Sequence, residues 1–174
     1  MKRCVIDTNV MITANKAAGC HEDDVINNYP SLVINCIELL QLIQKKGIFI
    51  VLDGDFEIIN EYKNHLSFSG QPGVGDVFFK WLFNNCWSFP PSEVVMLHKT
   101  ENGYEEFSAE LEAANVDLDD KKFFAASNAH PAKPDIFEAT DSKWWIWCEA
   151  ARQCGINIRF LDEQYMRDMN SEKR

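Results

Sequence analysis

Four acidic residues stand where their carboxylates can work together. Asp7 follows the apolar run Cys4-Val5-Ile6, and Asp141 follows Ile136-Phe137-Glu138-Ala139-Thr140. Asp120 precedes Lys121-Lys122-Phe123-Phe124-Ala125-Ala126, and Glu61 lies inside the segment that starts after Asp53-Gly54-Asp55. A lone carboxylate at the end of a buried strand is costly, so Asp7 needs a cation or a cluster of hydrogen bonds. Strand ends and the helix starts that follow them share one edge of a parallel sheet, where ligands bind. Sites built only from carboxylate oxygens suit Mg²⁺ or Mn²⁺. Two such ions about 3.5–4 Å apart activate water and stabilise the leaving oxygen of a phosphodiester. The candidate metal ligands and catalytic residues are therefore Asp7, Glu61, Asp120 and Asp141. Asp119 can replace or assist Asp120, and Glu57, one helical turn before Glu61, can take its place. Thr8, Asn9 and Ser142 flank the ligands and can orient them or a water. Lys16, Lys121 and Lys143 are the candidates for touching phosphate.

The elements that must hold these residues alternate along the chain. Cys4-Val5-Ile6 reads as a buried strand, and Val10 to Ala18 can open a helix. Pro30 and Ser31 mark a second helix start, and Leu32 to Lys46 repeats apolar residues at helical spacing up to Gly47. Ile48-Phe49-Ile50-Val51-Leu52 is a fully apolar strand, as in a sheet covered on both faces. A helix then runs to about His65 with Phe56, Ile59, Tyr62 and Leu66 inward. Ser67 to Gly75 is a loop, Asp76 to Asn85 an aromatic-rich helix, and Pro90-Pro91 a connector. Val94 to Leu97 is extended and Tyr104 to Ala114 is helical. Ile136 to Thr140 and Ile156 to Leu161 are strands on either side of a helix over Lys143 to Cys154. This order predicts an α/β three-layer sandwich with a mainly parallel central sheet, as one domain over residues 1–174 with a polar tail from about 163.

Composition narrows the function classes. A chain of 174 residues with 12 Phe and 5 Trp has enough apolar side chains for a sizeable core. No apolar run approaches the ~20 residues of a membrane span, and Asp7 interrupts any leader-like pattern, so no membrane partner is expected. The six cysteines lack CxxC pairing and read as reduced core residues of a cytoplasmic protein. A net charge of −10 is a poor match for a protein that coats nucleic acid. Acids that hold divalent ions, however, contribute formal charge that the ions offset.

At this point the motifs resemble a family. Val5-Ile6-Asp7-Thr8-Asn9-Val10 is similar to the opening motif of the PIN-domain nucleases. Asp120 with Phe123, Ala125 and Ser127 resembles their third acidic motif. Ala139-Thr140-Asp141-Ser142 before Lys143-Trp144 resembles their fourth, and Glu61 occupies the place of their helical acid. The resemblance runs from residue 4 to about 161. It implies a PIN-like fold and a Mg²⁺- or Mn²⁺-dependent endoribonuclease, with RNA as the substrate and a protein inhibitor or a second copy of the chain as further partners. The segment from Ser67 to Asn115 is longer and more aromatic than in compact toxin-type members. A DNase or structure-specific nuclease on the same fold, and a non-catalytic PIN-like binding module, are the alternatives.

Plainer roles stand beside each of these. Asp7, Asp119, Asp120 and Asp141 all suit helix caps, and Glu61 can pair with Lys63 or Lys143. Trp144, Trp145 and Trp147 are core candidates before they are a base-stacking surface. Cys20-His21-Glu22-Asp23-Asp24 reads as a solvated loop. No histidine has a Ser or Cys partner at triad-like spacing, and Gly70 to Gly75 is not a phosphate loop. An aspartyl phosphatase would place a second Asp two residues after Asp7, where Asn9 stands instead.

Overall fold

Four strands form a parallel sheet in the order β2-β1-β7-β8. They are β1 (Arg3–Ile6), β2 (Phe49–Ile50), β7 (Ile136–Glu138) and β8 (Ile158–Phe160). The computed structural model describes residues 2–18, 24–70 and 73–171, the side chains of Asp24 and Ile26 excepted. The loop expected at Cys20 to Asp23 and part of the Gly70 to Gly75 segment lie outside the described residues. Around the sheet run α1 (Thr8–Asn15), α2 (Asp24–Asn28), α3 (Pro30–Lys46), α4 (Glu57–His65) and α5 (Val74–Asn85). Then come α6 (Ala109–Ala113), α7 (Lys121–Ala129), α8 (Lys143–Gln153) and α9 (Glu163–Ser171). The result is an α/β chain with a parallel central sheet flanked by helices. Among the described residues no helix is long and apolar enough to cross a membrane.

The strand order decides where a ligand can sit. From β1 the sheet grows one way to β2 and the other way through β7 to β8. In an open parallel sheet the crevice opens beyond the carboxyl ends of the strands where that direction reverses. Here those are the ends of β1 and β7. Their register is fixed by Val5 opposite Ile136 and Ile6 opposite Phe137, and the Asp7 N–H donates to the Phe137 carbonyl at 2.9 Å. Cys4, Val5, Ile6, Ile136 and Ala139 are fully buried, so burial on both faces holds the two strand ends in place.

Local sequence explains most of the helices. Pro30 opens α3, and Gly47 closes it in the left-handed conformation at φ 60°. Asp53 caps α4: its carboxylate accepts from the N–H groups of Glu57 and Ile58, each at 2.9 Å. Gly75 lets α5 lie directly on α1, because a Cβ there would come within 2.0 Å of the Met11 carbonyl oxygen. Trp144 is fully buried and stacks on Phe124 with 4.5 Å between centroids, and Trp147 is buried beside it, so both serve the core.

Three expectations need correction. The apolar run at Ile48 to Leu52 is not one strand. It splits at Val51: β2 pairs with β1, whereas β3 (Leu52–Asp53) turns away to pair with β4 (Val94–Val95) in a separate parallel ladder. A hairpin of β5 (Lys99–Thr100) and β6 (Gly103–Tyr104) precedes α6, where a helix from Tyr104 was expected. The polar tail from 163 is helix α9, anchored by buried Tyr165 and Met166.

Candidate active site

Asp7 is the first residue beyond β1, only 3% exposed. Its Oδ2 accepts from the Asn9 N–H at 2.7 Å, which caps α1 and fixes the carboxylate. Beneath it the Tyr62 hydroxyl donates to the Ile6 carbonyl at 2.5 Å, tying α4 to the end of β1. Burial pushes the Asp7 carboxyl above its ordinary value. Hydrogen bonds from Glu138 and Asn9 oppose that rise, and the charges of Asp141 and Glu61 add to it.

Glu138, the last residue of β7, was not among the candidates. It is fully buried. Its Oε1 accepts from the N–H groups of Thr140 at 2.8 Å and Asp141 at 2.7 Å, so it shapes the turn that presents Asp141. Its Oε2 meets no donor group. Burial, and then the Asp7 charge, hold Glu138 well above its ordinary value. The signal in the sequence was one acid inside the apolar run Ile136-Phe137-Glu138-Ala139.

Asp120 stands at the N-cap position of α7, but its side chain makes no capping bond. Burial raises its carboxyl to about 7, with the charges of Asp7, Asp141 and Asp117 adding and Lys122 opposing. Asp141 does cap: its Oδ1 accepts from the Lys143 N–H at 2.9 Å. Three of the predicted acids, Asp7, Asp120 and Asp141, thus come from three different elements and sense one another's charge at the crevice.

Glu61 reaches the same neighbourhood but is engaged by basic side chains of the chain. Its Oε2 lies 3.4 Å from Lys122 Nζ and its Oε1 3.4 Å from His65 Nε2. Its lysine partner is Lys122, not the Lys63 or Lys143 named from sequence. Glu57 pairs with Lys99 at 2.6 Å, on the wall of a polar cleft of about 240 Å³ that Asp119 and Lys122 also line. Asp119 is exposed, and its carbonyl accepts from Lys122 Nζ.

The flanking residues divide. Thr8 Oγ1 is buried without a hydrogen-bond partner among the described residues. Asn9 acts through its N–H. Ser142 is buried, and its carbonyl accepts from Asn170 on α9. Of the lysines, Lys121 is buried and donates to Glu112 at 2.7 Å and to the Asn102 carbonyl at 2.7 Å. Lys143 pairs with Asp117. Lys16 sits at the C-cap of α1, its N–H on the Thr13 carbonyl.

In donor chemistry this group fits a hard divalent ion. Its side chains offer only carboxyl oxygens, the charges of Asp7 and Asp141 help raise the Asp120 carboxyl, and Glu138 Oε2 is buried with no hydrogen-bond partner among the described residues. In spacing it is open: among the described residues no three His, Cys, Asp or Glu side chains are gathered closely enough to hold an ion. No family model matches the chain, and no curated protein or solved structure matches it either.

Proposed function

We propose that the chain is a PIN-like, Mg²⁺- or Mn²⁺-dependent endonuclease that hydrolyses phosphodiester bonds in RNA, working in the cytoplasm. The observation that carries this reading is the convergence of Asp7, Asp120 and Asp141 beyond β1 and β7, close enough for Asp7 and Asp141 to help lift the Asp120 carboxyl to about 7. Structural acids are normally paired with a base or a cap; Asp120 has neither a capping bond nor a paired lysine of its own.

In this reading Asp7, Asp120 and Asp141 hold the ion. When bound, such an ion offsets phosphate charge and makes a water molecule a stronger acid. The protein's own residues do the rest. The Asn9 N–H fixes the position of the Asp7 carboxylate. Glu138 also sets the turn that aims Asp141. Water adds across the P–O bond, leaving a phosphate on one product and a hydroxyl on the other. Lys122 and Lys99 are the lysines that line the cleft beside the acids.

The test is cleavage of single-stranded RNA with Mn²⁺ by the wild-type protein beside Asp7→Asn and Asp141→Asn, with single-stranded DNA and flap substrates in parallel. Metal-dependent cleavage of RNA that both variants lose is the expected result. Equal cleavage by all three proteins, or none with any divalent ion, overturns the proposal, and preference for DNA or flaps changes its substrate.

A further inference from the structure

Beside the ladder of β3 and β4 lies a second cavity, of about 420 Å³. That volume falls within the ~300–1,000 Å³ of small-molecule sites. Three aromatic rings wall it, those of Phe56, Trp87 and Phe89. Trp87 is 66% exposed and Met96 58% exposed, so these two rim the mouth. Phe56 and Trp87 lie 5.0 Å apart between centroids, with their planes tilted by 45°. Met96 folds over Gly54, where a Cβ would come within 2.7 Å of its Sδ. Phe56 keeps a left-handed backbone, φ 61°, that bulky side chains avoid. Strain held in this way clusters at ligand clamps, and here it accompanies a ring on the cavity wall.

Charge narrows the ligand. Among the described residues that line the cavity, Asp53 is the one charged side chain and none is basic. The Asp53 carboxylate accepts from the N–H groups of Asp55 at 3.1 Å and of Glu57 and Ile58 at 2.9 Å each. These donors take three of its about four acceptor positions. An ammonium with N–H groups would therefore give up its hydration and find little to bond. A quaternary ammonium has no N–H to satisfy, and aromatic faces with a negative charge nearby are what it needs. An anion would meet Asp53 and no base. We infer that this cavity binds a small, soluble quaternary ammonium compound of the choline type, with its trimethylammonium group among Phe56, Trp87 and Phe89. A phosphocholine headgroup fits less well, because its phosphate finds no basic side chain in the lining. The inference is independent of the nuclease reading, since none of these residues belongs to the acid group beyond β1 and β7.

Calorimetry on the full chain, with a chelator present, compares choline with dimethylbutanol, its uncharged carbon isostere, and with ethanolamine, which keeps its N–H groups. Choline is expected to bind saturably, and both of the others at least about tenfold more weakly. Trp87→Ala, at an exposed position, is expected to weaken choline binding at least about tenfold, while Trp87→Tyr, which keeps an aromatic face, stays within about threefold of wild type. Asp53→Asn keeps a capping side chain for α4 and is expected to weaken choline binding while leaving the isostere unchanged. Equal binding of choline and dimethylbutanol makes this a plain apolar pocket and overturns the inference. So does the absence of choline binding, or unchanged choline affinity in a folded Trp87→Ala. Tighter binding of an acetylated trimethyl-lysine amide, or of phosphatidylcholine vesicles, than of choline overturns the assignment to a free small molecule. Trp87→Ala decides the case should Asp53→Asn fail to fold.

Discussion

Replacing Asp120 by Asn, with a chelator present, is expected to stabilise the protein near pH 8 and to leave it unchanged near pH 4. The folded chain holds the Asp120 proton up to about pH 7, whereas an ordinary carboxyl releases it near 3.8. Between those values the folded state binds more protons than the unfolded one. Stability therefore falls as pH rises through that window and stays low above it. The gap converts, at about 1.4 kcal/mol per pH unit, to about 4 kcal/mol. Asp120 is only partly buried and shares the cluster's protons with Asp7 and Glu138, so solvent screening and coupling cut this to about 1–3 kcal/mol. Asn removes the charge without losing a cap, because the Asp120 side chain makes none.

For a chain of this size about 1 kcal/mol moves the melting temperature by about 2–4 °C, so a rise of about 2–12 °C is expected at pH 8. Thermal melts of wild type and Asp120→Asn across that pH range measure it. The exposed neighbour, in Asp119→Asn, is expected to stay within about 0.5 kcal/mol of wild type. Saturating Mn²⁺ should reverse the order, since an ion at about 100 times its Kd adds about 2.7 kcal/mol to the protein that can hold it. An Asp120→Asn protein that melts lower at pH 8, or shifts equally at both pH values, refutes the claim that burial and the neighbouring acids raise the Asp120 carboxyl.

Other substitutions test the surrounding shell. Glu138→Gln is expected to cost under about 1 kcal/mol in urea unfolding, because its amide can donate to Asp7 while its carbonyl accepts from Thr140 and Asp141. Glu138→Leu strands those N–H groups and should cost about 2–4 kcal/mol. Trp144→Phe keeps the stack on Phe124 and deletes a buried Nε1 that has no acceptor, so it should cost under about 1.5 kcal/mol, against about 3–5 for Trp144→Ala. Arg3→Met breaks a two-pronged bond to Glu93, 2.8 Å on each arm, and should lower the melting temperature at neutral pH by leaving the buried Glu93 carboxylate without its partner. Arg3 holds the Glu93 carboxyl below its ordinary value. That stabilisation is present above about pH 4.5 and fades as pH falls through the lowered value, so the difference from wild type should shrink below about pH 4.

What the sequence revealed and what it hid follow from one distinction. Asp7, Asp120 and Asp141 were legible because their places depend on local signals: an apolar strand ending, a helix beginning, a polar turn. Each signal fixes a residue's position along its own element, and the parallel order of the strands then brings those positions to one edge. The split of Ile48 to Leu52 was not legible, since every residue in it is apolar whether it pairs with β1 or with β4. Nor was α9, because a helix with only Tyr165 and Met166 buried reads as polar.

Glu138 and Lys122 were hidden for a deeper reason. Each is ordinary in type and becomes significant only through a partner far away in sequence: Glu138 through Asp7, Lys122 through Glu61. The same separation governs Glu61. Its position on α4 lets its charge act on Asp7, but position on a helix does not specify which charge the carboxylate meets there. Whether it meets a metal ion or Lys122 depends on the rotation of α7, where Lys121 and Lys122 differ by about 100° around the axis. Turned one residue, α7 would offer the Glu112-bound lysine to Glu61 and send the other to solvent. The packing of Phe123 and Phe124 into the core sets that rotation, so two apolar side chains decide which lysine Glu61 faces.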